Sequence, residues 1–157
     1  MKKLSDDRNG TAVFAQRAQK NLEHIVASAT NNEDVHPVTQ VILALLGIVV
    51  FPWEKSAFDI VKKRKLPILS AEGWPKWNMS GVRQVVDLGE LIKVLRHAIA
   101  HGNIEFNSDS KCPNDVTISF TNMPSGESKS DWVGTITADR LIEFCRCFSS
   151  AIQDHVK

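Results

Sequence analysis

A mainly α-helical domain with one β-hairpin before its last helix is the fold class that this sequence predicts. Three observations carry the prediction. Apolar residues recur at helical spacing in four segments that together cover much of the chain. The period changes to two over residues 116–120 and 132–136, on either side of a polar Pro124-Ser125-Gly126 loop, and returns to the helical period afterwards. A chain of 157 residues, 43% hydrophobic and 24% charged, has the size and composition of one compact domain and not of several. Residues 1–157 are therefore read as a single domain, an antiparallel bundle of about four helices with a long loop at 64–81 and a β-hairpin at 115–137.

The first helix is expected over 10–29, where Phe14, Ala18, Leu22, Ile25, Val26 and Ala29 share one face. Thr30-Asn31-Asn32 ends it. A second helix starts near Pro37, a residue suited to a first turn because its missing N–H has no partner there anyway. Through Val41, Ile42, Leu45, Leu46, Val49 and Val50 it is apolar nearly all round, which marks either the most buried helix or a subunit interface. Phe51-Pro52 must break or kink it, and residues 54–63 are expected to resume it. The loop at 64–81 is punctuated by Pro67, Gly73-Trp74-Pro75 and Gly81; long loops in small domains tend to be functional. Its Trp74 and Trp77 either stack on nucleobases or pin the loop to the core, and pinning is the commoner use of tryptophan in such a place. A third helix carries Val85, Leu88, Leu91, Ile92, Leu95 and Ile99 on one face. After the hairpin, Thr137 caps a last helix with Asp139 in its first turn and Leu141, Phe144, Cys145, Phe148, Ile152 and Val156 facing inward.

Charge and cysteine usage exclude several classes. A net charge of +1 offers no global attraction for polyanions, so any nucleic-acid contact must come from local patches or a second subunit. Cys112, Cys145 and Cys147 form no disulfide framework, and with no signal peptide in sight they point to a reducing compartment, the cytoplasm. Cys145 and Cys147 lie about 200° apart around a helix and cannot share a metal from it. The longest apolar run, 41–51, is shorter than the roughly 18 residues a membrane span needs. No glycine-rich phosphate loop, nucleophile elbow or paired-carboxylate spacing is present.

The chemistry concentrates in Leu95-Arg96-His97-Ala98-Ile99-Ala100-His101-Gly102-Asn103. Gly102 suits the left-handed residue that closes a helix, so His101 is expected in the last turn, beside unsatisfied carbonyls and the negative end of the helix dipole, which favours a cation. An arginine that keeps its charge and a histidine that exchanges a proton near neutral pH are the groups phosphodiester chemistry uses. Arg96 and His101 lie five positions apart, so their side chains leave the helix about 140° apart. One helix alone would hold them poorly on a single phosphate; two such helices across a symmetric interface would line one cleft. His97 and His101 share a face at a spacing also used by zinc ligands, but no spacing calls for His36, Glu54, Glu90 or Cys112 as a third ligand, and no metal or cofactor is assigned. Arg96 has a competing structural use, an ion pair with Glu54 or Glu90. Lys62-Lys63-Arg64-Lys65 is the one concentrated basic run, read either as an RNA-phosphate grip or as a solvated terminus.

The arginine, polar residue, spacer and histidine at Arg96, His97 and His101 resemble the signature of the HEPN superfamily of nucleases. Val38-Thr39-Gln40, Leu45-Leu46-Gly47, Val50-Phe51-Pro52, Glu54-Lys55, Gly73-Trp74-Pro75 and Gly102-Asn103-Ile104-Glu105-Phe106 extend the likeness, from about residue 14 to 148, to a plasmid-borne branch of that superfamily. The resemblance implies a HEPN-like helical bundle that forms a homodimer and cleaves RNA without metal. The ribose 2′-hydroxyl would attack the adjacent phosphorus and leave a 2′,3′-cyclic phosphate, with His101 as general acid or base and Arg96 stabilising charge on the phosphate oxygens. Asn103 would orient His101 or bind phosphate, unless it only closes the helix; Glu54 is a supporting residue. Family analogy adds phage defence or plasmid maintenance as the setting, and a cognate inhibitor as a further partner. The alternative from another class is a catalytically silent HEPN dimer that serves as an interaction or RNA-binding module.

Overall fold

The computed structural model describes residues 8–50, 58–59 and 61–154. Helix α1 (Arg8–Thr30) is followed by a turn at Asn31-Asn32, in which Asn32 takes a left-handed φ of 59°, a conformation that asparagine tolerates. Helix α2 (Pro37–Leu45) begins on its proline and passes into a π-helical stretch, Leu46–Val50. The widened turns include Ile48, whose carbonyl a proline at position 52 cannot serve with an N–H. The break itself, at Phe51-Pro52, lies outside the described residues, as does Glu54. Of the expected continuation over 54–63, the described residue 58 is 3-10 helical and 59 and 61–63 form turns, with no α-helix among them.

The segment 64–81 is more ordered than its punctuation implies. It contains helix α3 (Leu66–Ala71) and strand β1 (Asn78–Ser80). Pro67, read as a loop signal, occupies the first turn of α3, where proline costs nothing. Helix α4 (Leu88–Ala100) follows, then strand β2 (Ile104–Phe106), a 3-10 turn (Pro113–Asp115), strands β3 (Thr117–Asn122) and β4 (Trp132–Thr137), and helix α5 (Ala138–Asp154). Thr137 is the last residue of β4, and α5 starts directly after it.

The expected hairpin is present, paired from Thr117↔Thr137 to Asn122↔Trp132, but it is the centre of a larger sheet. Strand β1 adds to β4 (Met79↔Gly134) and β2 to β3 (Glu105↔Ser119), giving the antiparallel order β1-β4-β3-β2. Both flanking strands have three residues, too few for period-two alternation to register. Gly134 sits on the buried face of β4, where a Cβ would overlap the Trp132 ring; the ring folds over the space that glycine leaves open.

One hydrophobic core joins the helices to the sheet. Helix α1 packs on α2 and α5, α2 also packs on α5, and α4 lies along β3. Leu22, Leu45, Ile48, Leu91, Leu95, Phe120 and Phe148 are fully buried within it. Trp74 and Trp77 pack edge-on against Phe144, with ring centroids 5.7 Å and 5.5 Å away. Helix α2 is not buried all round: Val41, Ala44 and Leu45 face the core, while Leu43 and, just beyond it, Leu46 remain 55% and 36% exposed. Its apolar content thus serves two faces. No described helix is long and apolar enough to cross a membrane.

Candidate functional site

Helix α4 is fixed at both ends by its own backbone groups. At the N-terminus, Asp87 caps the helix by accepting the Glu90 N–H at 2.9 Å. The Leu88 and Gly89 N–H groups donate to the carbonyls of Arg64 (2.9 Å) and Lys62 (2.8 Å), so the basic run is tied to the start of this helix. The Arg83 guanidinium bridges Glu90 (3.1 Å) and Asp131 (3.5 Å), and Asp131 also accepts a hydrogen bond from the Asn122 amide at 2.6 Å. The hairpin and the first turn of α4 are thereby one polar network. Glu90, one of the two carboxylates considered as a partner for Arg96, is engaged by Arg83.

At the C-terminus, Gly102 adopts a φ of +67° with open space around the position of a Cβ. Its N–H donates to the Ile99 carbonyl (3.1 Å) and the Asn103 N–H to the Ala98 carbonyl (2.8 Å), the paired closure expected of a glycine-terminated helix. The Asn103 carbonyl accepts from Thr121 N–H at 3.0 Å, which locks this end to β3. Asn103 acts here through its backbone.

His101 is the C-cap residue and is exposed. Its ring lies 4.4 Å, centroid to centroid, from that of His97, one turn earlier. The His97 Nδ1 atom is buried and has no hydrogen-bond partner among the described residues. Arg96, also exposed, borders a different concavity: a shallow groove of about 350 Å³ shared with Lys62, Lys63, Lys93, Asp87, Gly89 and Glu90. Both carboxylates of this groove already have cationic partners, Lys65 for Asp87 and Arg83 for Glu90, so the local field is positive although the net charge of the chain is only +1. Lys63 and Lys93 make no ion pair among the described residues.

The basic run divides. Lys62 pairs with Asp59, Arg64 with Glu72 and Lys65 with Asp87, and only Lys62 and Lys63 border the Arg96 groove. Arg64 points to the α3 side and does not border this groove. Lys93 does border it; it lies three residues before Arg96 on the same helix face, a spacing that was open to sequence reasoning. Among the described residues no three His, Cys, Asp or Glu side chains gather as a metal set. Cys112 is exposed and Cys145 fully buried, with burial pushing the Cys145 thiol up to about 12.

Two kinds of positive or titratable group therefore decorate one helix, on different sides: Arg96 with a lysine groove, and the His97–His101 pair at the helix end. A comparison with curated proteins and another with solved structures found no significant match. The family comparison did. Residues 1–157 match the family described as HEPN pEK499 p136 over the whole chain, in line with the Arg96, His97 and His101 pattern, and the protein thus belongs to this plasmid-associated HEPN family.

Proposed function

We propose that the protein is a homodimeric, metal-independent endoribonuclease whose cleft is formed by the α4 helices of two protomers. The observation that carries this reading is the split on α4: Arg96 borders the lysine groove while His101 packs with His97 at the helix end. A two-fold pairing of α4 helices would bring the arginine of one protomer towards the histidine of the other, and HEPN domains commonly dimerise. The exposed Leu43, with Leu46 at the start of the π stretch that itself touches α4, supplies an apolar surface for that pairing.

In the proposed reaction, RNA phosphates rest on Lys62, Lys63, Lys93 and Arg96. His101 takes the proton of the ribose 2′-hydroxyl as its oxygen bonds to phosphorus. The bond from phosphorus to the 5′-oxygen breaks, and that oxygen takes a proton from water, whose hydroxide is neutralised by the proton now held on the same His101. Arg96 offsets the charge that grows on the non-bridging oxygens. His97 positions His101 by ring contact. A cytoplasmic role in phage defence or plasmid maintenance, with a cognate inhibitor, belongs to the same proposal.

Incubation with total cellular RNA in excess chelator tests it. Wild type should cleave and leave 2′,3′-cyclic or 3′-phosphate ends, and Arg96→Ala and His101→Ala should each abolish cleavage while melting near wild type. Products with 3′-hydroxyl ends, or activity lost to chelator, overturn the mechanism. A folded, inactive wild type would favour the interaction-module reading.

A further inference from the structure

A second concavity lies away from the Arg96 groove. It occupies about 600 Å³ between α3, β1 and the start of α4, and its wall is built mainly from Leu69, Trp74, Trp77, Met79, Leu91 and Phe144. This volume and composition are those of small-molecule sites, apolar with few polar groups. The wall is rigid where it is aromatic: Trp77 is held edge-on by both Phe120 (5.7 Å) and Phe144 (5.5 Å), and Trp74 by Phe144.

Three features say what chemistry fits. The charged residues on the lining are Lys65 and Lys76, and no carboxylate lines the groove with them. Lys65 is held by Asp87, whereas Lys76 is exposed and makes no ion pair among the described residues, so one cation stands at the mouth of an apolar groove. Two residues of the wall, Ser70 and Trp77, each carry a buried polar atom, Oγ and Nε1, with no hydrogen-bond partner among the described residues. Buried donors of this kind are costly unless something accepts from them. A nucleobase fits poorly, since the groove is several times its size and too apolar for its polar edges.

We propose that this groove is a binding site for a small amphipathic carboxylate, with an acyl or aryl body against the tryptophan wall and the acid group at Lys76. It is independent of the RNA-cleavage reading, because binding is measured with no RNA present. The ligand would also lie against Leu91 and Val85, and so stabilise the segment that leads into α4.

The test is titration calorimetry on the full chain with decanoate, decanol and adenosine monophosphate as probes. Decanoate should bind saturably, one per chain, with a Kd of about 100 µM or tighter. Decanol should bind about tenfold more weakly. Lys76→Glu should weaken decanoate about tenfold and leave decanol unchanged, and Met79→Trp, which fills the groove, should remove both while thermal melting shows a folded chain. Non-saturable decanoate binding, equal loss of both probes in Lys76→Glu, or unchanged decanoate binding in Met79→Trp would overturn the proposal. So would tighter binding of the nucleotide than of decanoate, if Met79→Trp abolished it, because the groove would then be a base-binding site.

Discussion

Mixed dimers offer the sharpest test of a composite cleft. Arg96 and His101 depart from α4 about 140° apart, and the groove that Arg96 borders does not include His101. If catalysis pairs the arginine of one protomer with the histidine of the other, a wild-type dimer holds two such pairs. Each single-variant homodimer holds none: loss of the arginine should cost roughly 10²–10³ in rate and His101→Gln, which cannot titrate near neutral pH, roughly 10²–10⁴. A heterodimer of Arg96→Ala with His101→Gln keeps one complete cross-subunit pair, the histidine coming from the first chain and the arginine from the second. Random mixing at one to one makes about half of all dimers mixed, each with one of two pairs intact, so the mixture should recover about a quarter of wild-type activity. That is at least about 25-fold above either parent on the rates above. The assay is co-refolding of the two purified variants followed by cleavage of a fluorescent RNA in chelator. A mixture no more active than its parents would refute the cross-subunit geometry, and activity in either parent alone would refute the role of its altered residue.

Four other expectations follow from particular contacts. Leu43→Glu, at a 55% exposed position on α2, should shift the sedimentation coefficient from dimer to monomer and remove cleavage with little change in melting temperature; a stable dimer in this variant would place the interface elsewhere. Lys63→Ala and Lys93→Ala together should weaken RNA binding, flatten its salt dependence and leave product ends unchanged, and an unaltered salt slope would remove the groove from the RNA path. Gly134→Ala should lower stability by about 2–3 kcal/mol, read as a melting shift of several degrees, because its Cβ overlaps the Trp132 ring; a neutral result would show that this ring is free to move. Burial raises the Cys145 thiol to about 12, so the neutral form favours the fold: its contribution is full below the ordinary thiol range and fades as pH rises from about 9 towards 12, and stability over that window should fall less in Cys145→Ala than in wild type by chemical denaturation.

The parts of the fold legible in the sequence are those written in long periodic segments. Helices α4 and α5 bury the faces that their apolar spacing marks, whereas on α1 only Leu22 of the expected face is buried and Phe14 is 39% exposed; Pro37 and Gly102 occupy the helix boundaries their backbone chemistry suits. What escaped reading is short or depends on partners distant in sequence. Strand β1 exists because Met79 pairs with Gly134, and β2 because Ile104 pairs with Phe120; three residues carry no period of their own. Helix α3 is six residues long and opens on a proline, so local punctuation outweighs its apolar spacing even though Leu69 reaches the core. The same limit applied to α2, whose sequence says that it is apolar on every side but not which side meets the core.

For the candidate site, the sequence singled out residues and the fold sets their company. The Arg96, His97 and His101 pattern is contained within one helix and its cap, so it could be read whole. The company of Arg96 could not, because it depends on Gly89 and Leu88 donating to the carbonyls of Lys62 and Arg64. These bonds satisfy the first N–H groups of α4 and at the same stroke carry two lysines to the face where Arg96 and Lys93 emerge. Arg64, inside the same basic run, is turned away to Glu72, so a run of like charges is not by itself one surface. The N-terminus of α4 has no donors left for an anion, since Asp87 takes the Glu90 N–H. A phosphate approaching this helix would therefore be held by side-chain cations and not by the helix end. The proposed cleft accordingly depends on keeping the Lys62–Lys65 backbone seated on α4, and Asp87→Ala, which frees both Lys65 and the Glu90 N–H, should loosen RNA binding with no change in the cleavage chemistry.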